Sequence, residues 1–315
     1  MSFEKKHILL QIICTALLLF RGSEGICGRP TFPPRILKKD QAGNRISNGV
    51  EASMYSHPWQ ALIITKGYDA YRRCGGSLLH WRNKNASSFV LTAAHCMVDD
   101  SYYEQPTTWQ KFGQFITRIF SWKERIALTD VDDILVVLGL HEIDADSSVV
   151  QELSVVKIAV AEYNSTSYDQ DIALLKLNKE VVYNDFIQGI CLPDENEHLP
   201  GPESICLVTG WGRLADGQLA TALQQLQVDI IDGEVKSPLF QKMRMICAGH
   251  NETDTGARKG DSGGPLACLR NGTFVLYGVV SFAFAEKCSI LKERQAFTKV
   301  SFYLPWIRET IRKLS

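Results

Sequence analysis

The hexapeptide "GDSGGP", Gly260–Pro265, decides how the rest of the chain is read. A serine hydroxyl attacks an amide carbonyl only when one group takes its proton and others stabilise the oxyanion. The glycine-rich turn speaks to the second need, with the N–H groups of Gly260 and Ser262 as a candidate oxyanion hole. The first need is met upstream. "LTAAHC", residues 91–96, carries His95 beside a cysteine that would staple its loop. "YDQDIALLKL", residues 168–177, sets Asp171 at the head of an apolar strand, where a carboxylate can be held against an imidazole. Each motif is weak alone. In the chain order His95, Asp171, Ser262 they are strong together.

The surrounding chain fits a secreted β-rich protein. Its 315 residues allow one large core or two modest ones. A net charge of -1 gives no electrostatic case for nucleic acid, and 45% hydrophobic residues is ordinary for a globular chain. Lys5, Lys6 and His7 precede the apolar run Ile8–Phe20, and Ser23 and Gly25 follow. Residues 1–25 therefore read as a signal peptide, too short for a comfortable membrane span, with a signal anchor as the alternative. Of nine cysteines, Cys14 would leave with that peptide, and the other eight would meet an oxidising compartment. Sequons at Asn85, Asn164, Asn251 and Asn271 agree with a secreted, extracellular glycoprotein.

Residues 26–45, rich in Pro and basic side chains, read as an extended leader. Beyond it, short runs such as "WQALIITK", "DILVVLGL", "ICLVTGWG" and "FVLYGVVSF" have strand length and β-branched content. The last segment places Trp306, Ile307, Thr310 and Ile311 on one helical face. The reading is all-β with a C-terminal helix. A long insert between Cys96 and Val136 breaks the rhythm: Trp109, Phe112, Ile116, Ile119 and Phe120 recur at helical spacing among Lys and Arg residues. A helix packed on the body is the favoured reading there, a binding or membrane-surface helix the other.

The motifs resemble those of trypsin-like (chymotrypsin-fold) serine peptidases from about Cys27 to the C-terminus. They run in order "CGGSLL" at 74–79, "LTAAHC" at 91–96, "DIALLKL" at 171–177, "CLP" at 191–193, "TGWG" at 209–212, "MICAG" at 245–249 and "GDSGGP" at 260–265. The resemblance implies two six-stranded antiparallel β-barrels with the site between them, over a peptidase domain of residues 46–315. It implies Ser262 as nucleophile, His95 as general base and acid, Asp171 as the residue orienting the imidazole, and Ser281 helping to bury that aspartate. "NR-ISNG", 44–49, resembles the family's activation site, so cleavage after Arg45 would free the Ile46 amine to pair with Asp261. The bridges implied are Cys27–Cys191, which would keep the cut leader attached, Cys74–Cys96 and Cys206–Cys268. No cofactor and no metal are expected. Protein or peptide substrates, an activating protease and protein inhibitors are the expected partners, without nucleic acid or a stable membrane span.

The departures concern specificity. Cys247 and Cys288 lack their usual partners, since Arg258 and the region of Lys236 stand where those cysteines belong; the two bond each other or stay free. The position that resembles the pocket floor is Gly256, not an aspartate, which argues against Arg or Lys recognition. The expected pocket comprises Gly256, Ala257, Lys259, Ser281, Phe282, Ala283 and Gln295. Phe282 and Ala283 replace the usual Trp-Gly wall, and Gln295 stands where glycine leaves room for a substrate side chain. A plugged or shallow slot is the physical expectation, although Arg258 or Lys259 would suit an acidic side chain. The loop after "VVLG" opens with Leu140 in place of an acidic ligand, so calcium is not expected despite Glu142, Asp144 and Asp146. Two readings follow: a zymogen-derived serine endopeptidase of non-trypsin-like specificity, or an inactive homologue serving as a binding module.

Overall fold

A computed structural model describes residues 27–36, 49–67, 70–82, 84–98, 127–195, 197–201, 203–231, 241–249, 256–282 and 294–315. The run Gln60–Lys66 forms β2, with neighbours on both edges; it is buried along nearly its whole length because Ala61 and Ile63 face the barrel core while Leu62 packs with Trp211 and Leu223 on the other face. Those neighbours are β3 (Tyr71–Leu78) and β5 (Ile134–Leu138). With β4 (Ala86–Thr92), β6 (Gln151–Val160) and β7 (Ala173–Val182) they close a barrel in the order β2-β3-β4-β7-β6-β5. Closure leaves no exposed edge, and Ile63, Leu78, Leu91, Val136, Leu153 and Leu175 point into its core.

After a two-residue strand β1 (Val50–Glu51), the C-terminal half builds the second barrel. Its strands are β8 (Cys206–Gly210), β9 (Gln224–Ile231), β10 (Met245–Gly249), β11 (Pro265–Arg270), β12 (Thr273–Phe282) and β13 (Arg294–Lys299). They pair in the order β9-β10-β13-β12-β11-β8, and β8 pairs back to β9, so six strands form a ring with β1 added on its rim. Helix α1 (Val300–Leu314) packs on β12 and β7 and so touches both barrels. It buries Val300, Tyr303, Leu304, Ile307, Thr310 and Ile311, while Trp306 is only partly buried at the edge of that face. The two-barrel architecture with a C-terminal helix is the one expected. No helix among the described residues is long and apolar enough to cross a membrane.

Three bridges form as the resemblance implied: Cys27–Cys191, Cys74–Cys96 and Cys206–Cys268. Cys247 is disulfide-bonded as well, which rules out the free-thiol alternative for it; Cys288 lies outside the described residues. The signal segment, Arg45, Ile46, the insert over 99–126 and the sequon Asn251 also lie outside them.

The described part of the leader is docked along the body. Gly28 exchanges backbone bonds with Gly189 and Phe274, and Thr31 Oγ1 donates to Asp185 Oδ1 at 3.1 Å. Phe32 stacks on Phe186 and tilts against Tyr55. Further along, Gln225 Nε2 donates to the carbonyl of Arg35, which turns Gln225 Oε1 toward His57 Nε2 at 3.3 Å. His57 is 4% exposed, and burial outweighs that hydrogen bond, lowering its pKa from 6.5 to about 4. Below pH 6.5 the unfolded chain therefore binds a proton that the folded chain refuses. Stability from this group is complete above that pH and declines as the pH falls toward 4, by about 3 kcal/mol. His57→Gln is expected to flatten the fall of the urea midpoint between pH 7 and pH 4.5. A variant that tracks the parent across that range contradicts this account.

Candidate active site

The pairing of β4 with β7 explains why residues far apart in sequence meet. Thr92 at the end of β4 lies opposite Ala173 at the start of β7. The chain leaves β4 into a single 3-10 turn, Ala94–Met97, that carries His95, and it enters β7 just after Asp171. The ladder thus brings both residues to one end of the first barrel. Asp171 is fully buried, and each carboxylate oxygen is used. Oδ1 accepts the backbone N–H of His95 at 2.9 Å. Oδ2 accepts from His95 Nδ1 at 2.8 Å and from the Ser281 hydroxyl at 2.5 Å. Thr298 Oγ1 donates to the Asp171 carbonyl at 2.8 Å, tying the same residue to β13 of the second barrel.

Burial by itself would push the Asp171 carboxyl up. The imidazole beside it and the three donated hydrogen bonds outweigh that and hold it below the ordinary value. An ionised carboxylate on Nδ1 fixes the tautomer with its proton there, leaving Nε2 free to accept one. That geometry suits a general base.

Ser262 arrives from the second barrel, just before β11. Its carbonyl accepts from Gly75 N on β3 at 2.7 Å, and Thr92 Oγ1 donates to the Gly75 carbonyl at 2.7 Å. A Cβ on Gly75 would press on the Gly264 backbone at 2.7 Å, so the glycines of "CGGSLL" and "GDSGGP" allow the two barrels to touch there. Cys96 Sγ lies 3.8 Å from His95 Nε2 and 3.6 Å from the Ser262 carbonyl oxygen, which sets the imidazole and the serine loop around one disulfide. Within the loop, the N–H groups of Asp261, Gly263 and Gly264 go to the carbonyls of Arg258, Val280 and Asp261. Among the described residues, those of Gly260 and Ser262 meet no acceptor. Gly260 has φ 107°, a left-handed conformation that favours glycine.

Asp261 turns the opposite way. Its carboxylate accepts from Gly212 N and Arg258 N, both at 2.8 Å. Burial raises its pKa; the two amide donors and the Arg258 charge offset this only in part. A small cleft opens beside it, lined by Gly49, Gly210, Leu226 and Ala257 among others.

The expected pocket is only partly assembled within the described residues. Ala257 is buried and Lys259 exposed, with the Lys259 carbonyl accepting Arg213 N–H. The Ser281 hydroxyl is spent on Asp171. Gln295 is 8% exposed and donates its Nε2 to the Ala257 carbonyl, where it would collide with any Cβ at Gly256. Phe282 closes β12, and Ala283 lies outside the described residues. Two contributors escaped the sequence reading. Tyr168 holds its ring edge-on to His95 with centroids 6.2 Å apart, and Thr298 closes the back of the site. Tyr168 sits three residues before Asp171, but its left-handed φ of 51°, which turns that loop, has no sequence signature.

Among the described residues, Cys74, His95 and Cys96 are the one cluster of metal-type ligands. The two cysteines are bonded to each other, and Nδ1 of the histidine serves Asp171. Asn85, Asn164 and Asn271 are exposed at their sequons.

Two antiparallel barrels that jointly hold a buried carboxylate, an imidazole and a serine loop define the chymotrypsin-fold class of serine hydrolases. The comparisons agree. The family profile described as Trypsin matches residues 46–117 and 126–307. The chain is 34% identical over 277 residues to chymotrypsin-like elastase family member 1 of Macaca fascicularis, covering 85% of this chain and 90% of that protein. It is 33% identical over 306 residues to chymotrypsin-C of Mus musculus, covering 95% and 98%. A solved structure described as GrC superposes with a TM-score of 0.63 at 26% identity, over 84% of this chain and 98% of that one. The chain belongs to the trypsin family of serine endopeptidases, hydrolases of peptide bonds.

Proposed function

We propose that this chain is a secreted serine endopeptidase made as a zymogen, activated by cleavage after Arg45, with a specificity unlike trypsin's. The observation that carries the reading is the buried Asp171 carboxylate, with His95 and Ser281 both donating to it. In this mechanism His95 Nε2 takes the Ser262 hydroxyl proton as Oγ attacks the substrate carbonyl. The N–H groups of Gly260 and Ser262 stabilise the oxyanion. The His95 imidazolium then protonates the departing amine, leaving an acyl-serine. Water, deprotonated by the same imidazole, attacks that ester and restores the hydroxyl.

The cleft beside Asp261 supports the activation step. A buried carboxyl that, among the described residues, faces amide donors and Arg258 would gain from a new amine, and Ile46 precedes Gly49 on the cleft wall by three residues. Secretion is supported by the seven disulfide-bonded cysteines among the described residues, since such bridges form in oxidising compartments. An activating protease and protein inhibitors are the partners this reading implies, and exposed Asn85, Asn164 and Asn271 are its glycan sites.

The test is labelling of Ser262 by a fluorophosphonate, before and after specific cleavage at Arg45, with Ser262→Ala as control. Labelling confined to the cleaved protein is expected. A folded, correctly cleaved chain that stays unlabelled overturns the reading in favour of an inactive homologue acting as a binding module.

A further inference from the structure

We propose that Gln295 closes the depth of the substrate slot and confines cleavage to peptide bonds that follow a small uncharged side chain. This rests on Ser262 being the working nucleophile. The slot is taken where the resemblance to the family places it, between two walls: the segment Gly256–Ser262, whose end carries the nucleophile, and the end of β12 at Ser281. The start of β13 lies behind them, since Phe282 pairs with Ala296 and Gln295 pairs across to Ala248 of β10.

From β13 the Gln295 side chain reaches the first wall and donates to the Ala257 carbonyl. Its Cδ would lie 3.0 Å from a Cβ at Gly256, so the amide rests directly on that glycine. Glycine at 256 therefore does not open space for substrate. It makes room for Gln295.

A crossing pinned by a buried hydrogen bond resists displacement, because moving it strands the Ala257 carbonyl. A benzyl or guanidinium side chain would have to move it, whereas a methyl or isopropyl group stops short of it. Charge gives no help to a cationic side chain. Among the described residues around the slot, the Asp171 carboxylate faces His95 and Ser281, and that of Asp261 faces Gly212 and Arg258.

The experiment compares kcat/KM for peptide substrates that differ only in the residue before the scissile bond: Ala, Val, Phe or Arg. The cleaved parent should favour Ala and Val over Phe and Arg by at least about tenfold. Gln295→Gly, and Gln295→Ala as a variant kinder to the strand, should raise the Phe/Ala ratio by about tenfold or more. The ratio is taken within one enzyme, so a loss of folded material cancels from it. A parent that labels with fluorophosphonate yet prefers Phe or Arg overturns the inference, as do variants with an unchanged ratio. A parent that does not label at all overturns the peptidase reading beneath it.

Discussion

Asp171→Asn is expected to lower kcat by about 10⁴ while leaving a folded protein. The carboxylate is fully buried and accepts three hydrogen bonds, from the His95 backbone N–H, His95 Nδ1 and the Ser281 hydroxyl. An amide has one acceptor oxygen and one donor nitrogen in the same space. If the oxygen keeps the backbone N–H, the nitrogen faces the imidazole. Nδ1 must then accept, and the ring's proton moves to Nε2, where it cannot take one from Ser262. The Ser281 hydroxyl can rotate to suit either atom, so the structural cost is modest. Steady-state kinetics and a urea unfolding curve on the same preparation check both halves. A variant within tenfold of the parent in kcat would show that Asp171 does not set the tautomer.

Asp261→Asn is expected to leave cleavage at Arg45 intact and abolish the response to it. In the uncleaved chain the carboxylate accepts from Gly212 N and Arg258 N in a buried setting that raises its pKa. A freed amine entering the adjacent cleft would favour the ionised form and hold the turn that presents Gly260 and Ser262 N–H. With an amide at 261 that amine would be buried without a counter-charge, a penalty of about 3–5 kcal/mol. At about 1.4 kcal/mol per factor of ten, that is a loss on the order of 10²–10³-fold or more in the active population. Amino-terminal sequencing establishes the cut, and the fluorophosphonate rate measures the active fraction. Normal labelling of the cut variant would mean that the loop orders without the ion pair.

These effects differ in how far the sequence foretold them. The triad candidates were legible because each sits in a motif whose residues serve one local need. "LTAAHC" joins a strand end to a stapled turn, and "DIALLKL" is a buried strand that meets it in the barrel. The strands legible in the sequence were those with continuous apolar runs, such as β2, β5 and β12. β6 escaped because its buried positions, Leu153 and Val155, are interrupted by exposed ones. The same loss of pattern hid β9, where Gln225 is buried to hold Arg35 and His57.

By itself the sequence determined the family, the order of the candidate reacting groups and three disulfide pairs, since these follow from short motifs and from cysteines that a shared fold brings together. Only the tertiary structure decided where the Gln295 amide lies. Gln295 and Ala257 are separated by 38 positions and meet through a side chain that crosses between two elements. In the sequence, Gly256 registers only as a missing aspartate. In the fold its missing Cβ is the seat of the Gln295 amide, because close packing is a property of what stands opposite a residue, and no local pattern records it.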